Sequence, residues 1–163
     1  MKDILYSPWR MRYVAEAKDS KCVFCLEKSK ENDKQHLVLY RSKHSFVIMN
    51  LYPYNNGHLL VVPNRHVSRL DELSQEESRD FFELLQETVK VIDEEYHPDG
   101  MNLGMNIGKA GGAGIEQHLH AHIVPRWEGD ANFMTSISGT RVIPEEFEKS
   151  FKRLKEQFDK HDV

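Results

Sequence analysis

Between Gln117 and Val124 the chain reads Gln-His-Leu-His-Ala-His-Ile-Val, with histidine at 118, 120 and 122 and an apolar residue at 119, 121 and 123. A period of two is the signature of a strand, so the segment predicts three imidazoles on one face and an apolar face that must find a core. Strand packing gains nothing from three neighbouring imidazoles, whereas imidazole titrates near neutrality and is a frequent metal ligand. The residues alone leave two chemistries open: metal binding by an alternating histidine pair, or nucleophilic and acid–base work.

The preceding loop bears on that choice. Gly108-Lys-Ala-Gly-Gly-Ala-Gly114 contains four glycines and one lysine. Such a loop brings backbone close to a ligand and turns N–H groups, those of Gly112, Gly114 and Ile115 among them, toward an anion. It matches neither the Walker pattern nor the dinucleotide fingerprint, so its meaning comes from its place beside the histidines. Asn106, just before it, can offer an amide donor to a phosphate oxygen or to a histidine, and is equally at home as a turn residue.

The rest of the chain predicts a sheet with helices. Leu37–Tyr40 and Phe46–Met49 read as strands, and Tyr54-Asn55-Asn56-Gly57 carries the Asn-Gly signal of a tight hairpin into Leu59–Val62. Ser74-Gln-Glu-Glu77 is a capping box, and Phe81, Phe82, Leu85, Val89, Ile92 and Tyr96 recur at helical spacing until His97-Pro98 stops them. Met101–Ile107 and Leu119–Val124 are further strands; a final helix starts near Pro144, with Phe147, Phe151, Leu154 and Phe158 on one face. A short helix around Trp9–Val14 is also expected.

At 163 residues the chain suits one domain, with an N-terminal segment to about 35, a core from about 36 to 135 and a helical segment to the end. The net charge of −4 argues against nonspecific nucleic-acid binding, which needs an excess of Lys and Arg. The longest apolar runs are too short to span a bilayer and the start lacks a signal core, so no membrane association and a cytoplasmic location are expected.

The two cysteines sit together as Cys22-Val-Phe-Cys25, a spacing that suits half of a tetrahedral metal site and equally a small buried or redox pair. His36 and His44 are among the histidines available to complete such a site. Trp127 with Arg126 offers a stacking surface and a cation near a nucleotide, or plain packing, while Arg10 and Arg12 beside Trp9 form a basic aromatic cluster.

His118-Leu-His120-Ala-His122-Ile-Val124 resembles the His-φ-His-φ-His-φ-φ signature of the histidine triad superfamily. Asn50-Leu-Tyr-Pro-Tyr-Asn-Asn-Gly-His58-Leu-Leu-Val-Val-Pro63 is similar to its nucleotide-binding hairpin, and Pro125-Arg-Trp127 with Gly129-Asp-Ala-Asn-Phe133 resembles the bacterial branch related to diadenosine tetraphosphate phosphorylases and Fhit-like hydrolases. The resemblance implies an α+β fold, a five-stranded antiparallel sheet with one long helix and a C-terminal helix, paired into a homodimer. It implies cleavage of dinucleoside polyphosphates at the α-phosphate through a nucleotidyl adduct on His120, released to water or phosphate. Adenosine phosphoramidase activity is the alternative within the same superfamily, and a catalytically weak nucleotide-binding protein is the alternative from another class.

By the same resemblance His122 bonds the phosphate and leaving group, His118 supports the strand, Asn50 meets the ribose, Phe46 and Ile48 form the apolar wall, and His58 lies near the site. Cys22, Cys25, His66 and His118 would hold a structural zinc, with no organic cofactor. One departure stands out: where many relatives place a Ser or Thr hydroxyl before the triad, this chain has Ala113-Gly114-Ile115.

Overall fold

The computed structural model describes residues 22–27, 30–130 and 145–161. The expected helix around Trp9–Val14, the cluster of Trp9, Arg10 and Arg12, and Asn132-Phe133 lie outside them. Strands β1 (Val38–Arg41), β2 (Ser45–Met49) and β3 (Leu59–Pro63) are followed by helix α1 (Gln75–Tyr96), strands β4 (Gly100–Met105) and β5 (Ala121–Arg126), and helix α2 (Phe147–Phe158). The strands form one antiparallel sheet in the order β1-β2-β3-β5-β4, which leaves β4 on an edge.

Register divides the strand residues between two faces. Val47, Met49, Leu59, Val61, Ala121 and Ile123 pack with Phe81, Leu84, Val91 and Ile92 of α1 and Leu154 and Phe158 of α2 in the main core. The opposite face carries Val38, Phe46, Ile48, Leu60 and Val62, covered by Phe24 from the cysteine segment. On that face the pairing lines up Val38, Ile48, Leu60, His122 and Gly104 in one row across all five strands.

Helix α1 begins at the expected capping box: Ser74 Oγ accepts from Glu77 N, and the Glu77 carboxylate accepts from Ser74 N. It ends at His97, whose left-handed backbone (φ 45°) precedes Pro98. Its buried stripe is Phe81, Leu84, Thr88, Val91 and Ile92, so the expected stripe is corrected at Phe82, which is 45% exposed. Phe81 holds the inward position, and Phe82, the next residue, is rotated off the core-facing side.

The expected tight hairpin is also corrected. β2 and β3 are joined by residues 50–58, closed at the base by Asn50 N donating to His58 O (3.1 Å). Asn56-Gly57 instead bends the tip of this loop, and Gly57 is required there: its φ is +69° and a Cβ would sit 2.8 Å from Tyr96 Cε2. No helix among the described residues is long and apolar enough to cross a membrane.

Candidate active site and metal centre

The regular strand begins at Ala121, so only His122 of the three histidines lies within β5, while His118 and His120 are placed by bonds to the neighbouring chain. Leu119 N donates to Val67 O (2.6 Å) in the segment that follows β3, and the His118 side chain donates from Nε2 to Pro63 O (2.9 Å) at the end of β3. The expected alternation is retained, with Leu119, Ala121 and Ile123 all buried.

Hydrogen-bond logic assigns a tautomer to each imidazole, because a neutral ring has one N–H and one lone pair. His120 Nδ1 lies 2.8 Å from His118 O, and a carbonyl only accepts, so His120 carries its proton on Nδ1 and its lone pair on Nε2. Tyr54 N donates to His58 Nδ1 (2.9 Å), so His58 carries its proton on Nε2 and donates it to His122 Nδ1 (3.0 Å). His122 in turn has its proton on Nε2. The pair is thus one ring with an available lone pair beside one ring with a donor, 5.0 Å apart between centroids.

Burial keeps these rings neutral. It pushes the pKa of His120 below the ordinary histidine range, against the opposing effect of the His118 carbonyl, and with the neighbouring His120 it lowers His122 to about 4. A neutral His120 has its lone pair free to attack an electrophile, and a neutral His122 can donate to an anionic oxygen.

A second constellation lies beside the first. The sulfurs of Cys22 and Cys25 and ring nitrogens of His66 and His118 all fall within 4.8 Å of one another. His118 Nδ1 is 3.4 Å from Cys22 Sγ and 3.8 Å from Cys25 Sγ, and His66 Nδ1 is 3.1 Å from Cys25 Sγ. A tetrahedral ion with bonds of about 2.0–2.3 Å needs donors separated by about 3.3–3.8 Å. Both His118–cysteine distances meet this, the 3.1 Å His66–Cys25 distance falls just below it, and the full set spans up to 4.8 Å, so small side-chain adjustments would close the four donors on one ion. The tautomer fits too: with Nε2–H on Pro63 O, His118 turns its Nδ1 lone pair toward the sulfurs. His36 and His44 do not join the cluster, and His44 faces Glu76 instead (3.9 Å).

The loop carrying His66 is held from behind. Arg65 donates from Nε and Nη2 to the two oxygens of Glu77 (2.7 Å each) and from Nη2 to Glu72 O (2.6 Å). Glu77, lowered to about 2 first by Arg65 and then by Ser74 N, therefore serves both the helix cap and this loop.

Other expected site residues fall as follows. Phe46 and Ile48 are buried on the histidine side of the sheet. Asn50 Oδ1 accepts from Tyr52 N (2.9 Å) and its Nδ2 lies 3.3 Å from both ring nitrogens of His58, which engages the side chain within the loop. Gly108 (φ +71°) and Gly112 (φ +84°) bend the glycine loop around a single 3-10 turn, with Gly114 exposed and Ile115 against the Phe24 cluster. Asn106 is half-buried just after β4. Trp127 packs edge-on to Tyr96, and the guanidinium of Arg126, expected as a phosphate cation, is committed to Asp130 and Asn102.

Sequence reading missed Phe24 and Tyr54. The Phe24 ring lies 5.2 Å from His120 and 5.6 Å from His118, and the Tyr54 ring lies 4.6 Å from His58 and nearly parallel to His122 at 5.7 Å. Phe24 had a signal, as the one large apolar side chain between two ligand-type cysteines. Tyr54 had none, because its ring contacts form only once the 50–58 loop folds back on His58 and His122, and the amide it gives to His58 leaves no mark on the side-chain pattern.

Residues 30–129 match the HIT domain family, and the chain belongs to that family. It is 42% identical over 149 residues to a Mycobacterium tuberculosis protein named AP-4-A phosphorylase, covering 86% of this chain and 76% of the relative. It is 38% identical over 92 residues to a Saccharomyces cerevisiae bis(5'-adenosyl)-triphosphatase, covering 56% of this chain and 44% of that one. Among solved structures it resembles a zinc-bound histidine triad family protein from Mycobacterium smegmatis, with a TM-score of 0.66 at 27% identity over 85% of this chain and 94% of that one.

Proposed function

We propose that this HIT enzyme cleaves dinucleoside polyphosphates of the diadenosine tetraphosphate type at the α-phosphate, with His120 as nucleophile. The observation that carries the reading is the opposed polarity of two adjacent buried rings, a lone pair on His120 Nε2 and a donor on His122 Nε2. The names of the relatives at 42% and 38% identity support the substrate class.

His120 Nε2 attacks the α-phosphorus, a P–N bond forms, and the bond from that phosphorus to the bridging oxygen breaks, releasing the nucleoside triphosphate. His122 donates to the oxygen on which negative charge grows, and the N–H groups of Gly114 and Ile115 serve the phosphates in place of a hydroxyl, those of Gly111, Gly112 and Ala113 being bonded to carbonyls within the loop. Water or inorganic phosphate then attacks the adduct, giving AMP or ADP and restoring neutral His120. Phe46 and Ile48 wall the base and Asn50 serves the ribose side.

Cys22, Cys25, His66 and His118 would hold zinc, which when bound supplies a structural pin. Their effect on the reaction runs through this chain: the same His118 that offers Nδ1 to the metal accepts the Nδ1–H of His120 on its carbonyl.

The protein acts as a homodimer through the β4 edge. Leu103 shares a cross-strand row with the buried Met49, Leu59 and Ile123, yet is 48% exposed, and among the described residues a Cβ at Gly100 or Gly104 would meet no neighbour within 4 Å. Two unbridged cysteines support a cytoplasmic setting.

Anion-exchange chromatography of diadenosine tetraphosphate digests, with and without phosphate, tests the reaction. AMP plus ATP is the hydrolytic outcome and ADP plus ATP the phosphorolytic one. Intact substrate in every tube, with turnover of an adenosine phosphoramidate, would replace this reading.

A further inference from the structure

The segment Pro125-Arg-Trp-Glu-Gly-Asp130 lies beyond the chemistry just described, yet it touches the loop that orients it. The Asp130 carboxylate accepts from Arg126 Nε (2.6 Å) and Nη2 (2.8 Å), from Trp127 N (3.3 Å) and from Asn55 Nδ2 (2.9 Å). Asn55 Nδ2 also donates to Pro125 O (3.1 Å), and Arg126 Nη1 donates to Asn102 Oδ1 on β4 (2.9 Å). One carboxylate thus joins the tip of the 50–58 loop to the end of β5 and, through Arg126, to the edge strand. From below, Gly57 seats the same tip on Tyr96 and Pro125.

What the tip delivers is the amide of Tyr54. We propose that Asp130 is a positioning residue that, through Asn55, holds the Tyr54 N–H on His58 and so sets the hydrogen-bond polarity of the His58–His122 pair; this rests on the reaction proposed above. The reason is the two-way nature of imidazole. With Tyr54 N–H on His58 Nδ1, both rings carry Nε2–H and His122 presents a donor. If that amide moves away, His58 can take the Nδ1–H form, its Nε2 becomes an acceptor, and His122 must place its proton on Nδ1 to meet it. His122 would then turn a lone pair toward an anionic phosphate oxygen. Asn50 Nδ2 lies 3.3 Å from both His58 Nδ1 and His58 Nε2 and so favours neither tautomer, which leaves the shorter Tyr54 N–H contact on Nδ1 to decide between them.

The test uses the zinc-loaded full chain with Asp130→Ala, Asn55→Ala and the double variant. Imidazole 15N NMR should show His58 and His122 as Nε2–H tautomers in the wild type and as tautomer mixtures in either single variant. The kcat on diadenosine tetraphosphate should fall about tenfold with KM within about twofold, the scale expected for loss of an outer-sphere orienting partner. The double variant should be no worse than Asp130→Ala alone, because both residues act through one contact.

Unchanged tautomers in the single variants, or kcat losses that multiply in the double variant, would overturn the assignment. Should Asp130→Ala fail to fold, Asn55→Ala, which leaves the Arg126–Asp130 pair in place, decides by the same readouts. A wild type that turns over no dinucleoside polyphosphate counts against the proposed reaction, and the NMR signature still decides the clamp.

Discussion

The two faces of the sheet are built from alternate residues of the same strands and are closed in opposite ways. The helix side is sealed by a mainly apolar layer from α1 and α2, with only the hydroxyls of Thr88 and Ser150 buried among the described polar groups of those helices, whereas the other side is covered by Phe24 and the cysteine segment and has His118, His120 and His122 in its wall. Polar rings are tolerated there because their nitrogens meet specific partners: a backbone carbonyl for His118 and His120, and His58 for His122. The helix face therefore supplies stability, and the histidine face uses that stability to hold neutral imidazoles in defined tautomers.

The largest expected break in this contrast is His120→Ala. Turnover should fall by at least about 10⁴-fold, as for loss of a covalent nucleophile, while nucleotide binding remains measurable by calorimetry. Comparable turnover in that variant would remove the distinction between the faces.

Removing the zinc proposed for the Cys22, Cys25, His66 and His118 cluster, or replacing Cys25 by serine, should cost roughly 3 kcal/mol or more of unfolding free energy in denaturant titrations. Hydrogen exchange should localise the loosening to residues 22–27 and 64–67 and spare Val61 and Ile123. Uniform loss of protection across both faces would show that the cysteine segment belongs to the general core.

Leu59 and Leu60 offer a sharper comparison, being adjacent residues on opposite faces. Leu59→Ala should destabilise by about 3–4 kcal/mol with KM unchanged, and Leu60→Ala by about 2–3 kcal/mol with KM raised. Thermal melts and steady-state kinetics on the pair measure both.

The smallest effect belongs to His161, just beyond α2, which bridges Glu87 (2.6 Å) and Glu94 (2.9 Å) on α1. Glu94 first, and then Glu87, raise its pKa above the ordinary 6.5. The folded state therefore holds this proton more tightly than the unfolded one, so the stabilisation is complete below about pH 6.5 and fades as pH rises through the raised value. The difference in Tm between wild type and His161→Gln should shrink over that range, with little change in catalysis.

Much of this was legible in the residues themselves. Alternation marked the triad strand, and the capping box with His97-Pro98 marked both ends of α1, because these signals are local. The inward phase of α1 was not, since Phe81 and Phe82 are equally apolar and only the helix's seat on the sheet decides between them. The Asn-Gly pair promised a two-residue turn, yet the loop spends nine residues, 50–58, reaching over the end of β5, where Asp130, Pro125 and Tyr96 receive it. Arg126 looked available for phosphate until its partners Asp130 and Asn102 were placed. In each case the missing information was a contact between segments distant in sequence.

The most direct test is to mix the enzyme with diadenosine tetraphosphate, quench in base, where a phosphoramidate survives, and locate the modification by peptide mass spectrometry. One adenylyl group on His120, absent from His120→Ala, is the expected result. Turnover that proceeds with the adduct on another residue, or with none trapped at any time point, would contradict nucleophilic catalysis by His120.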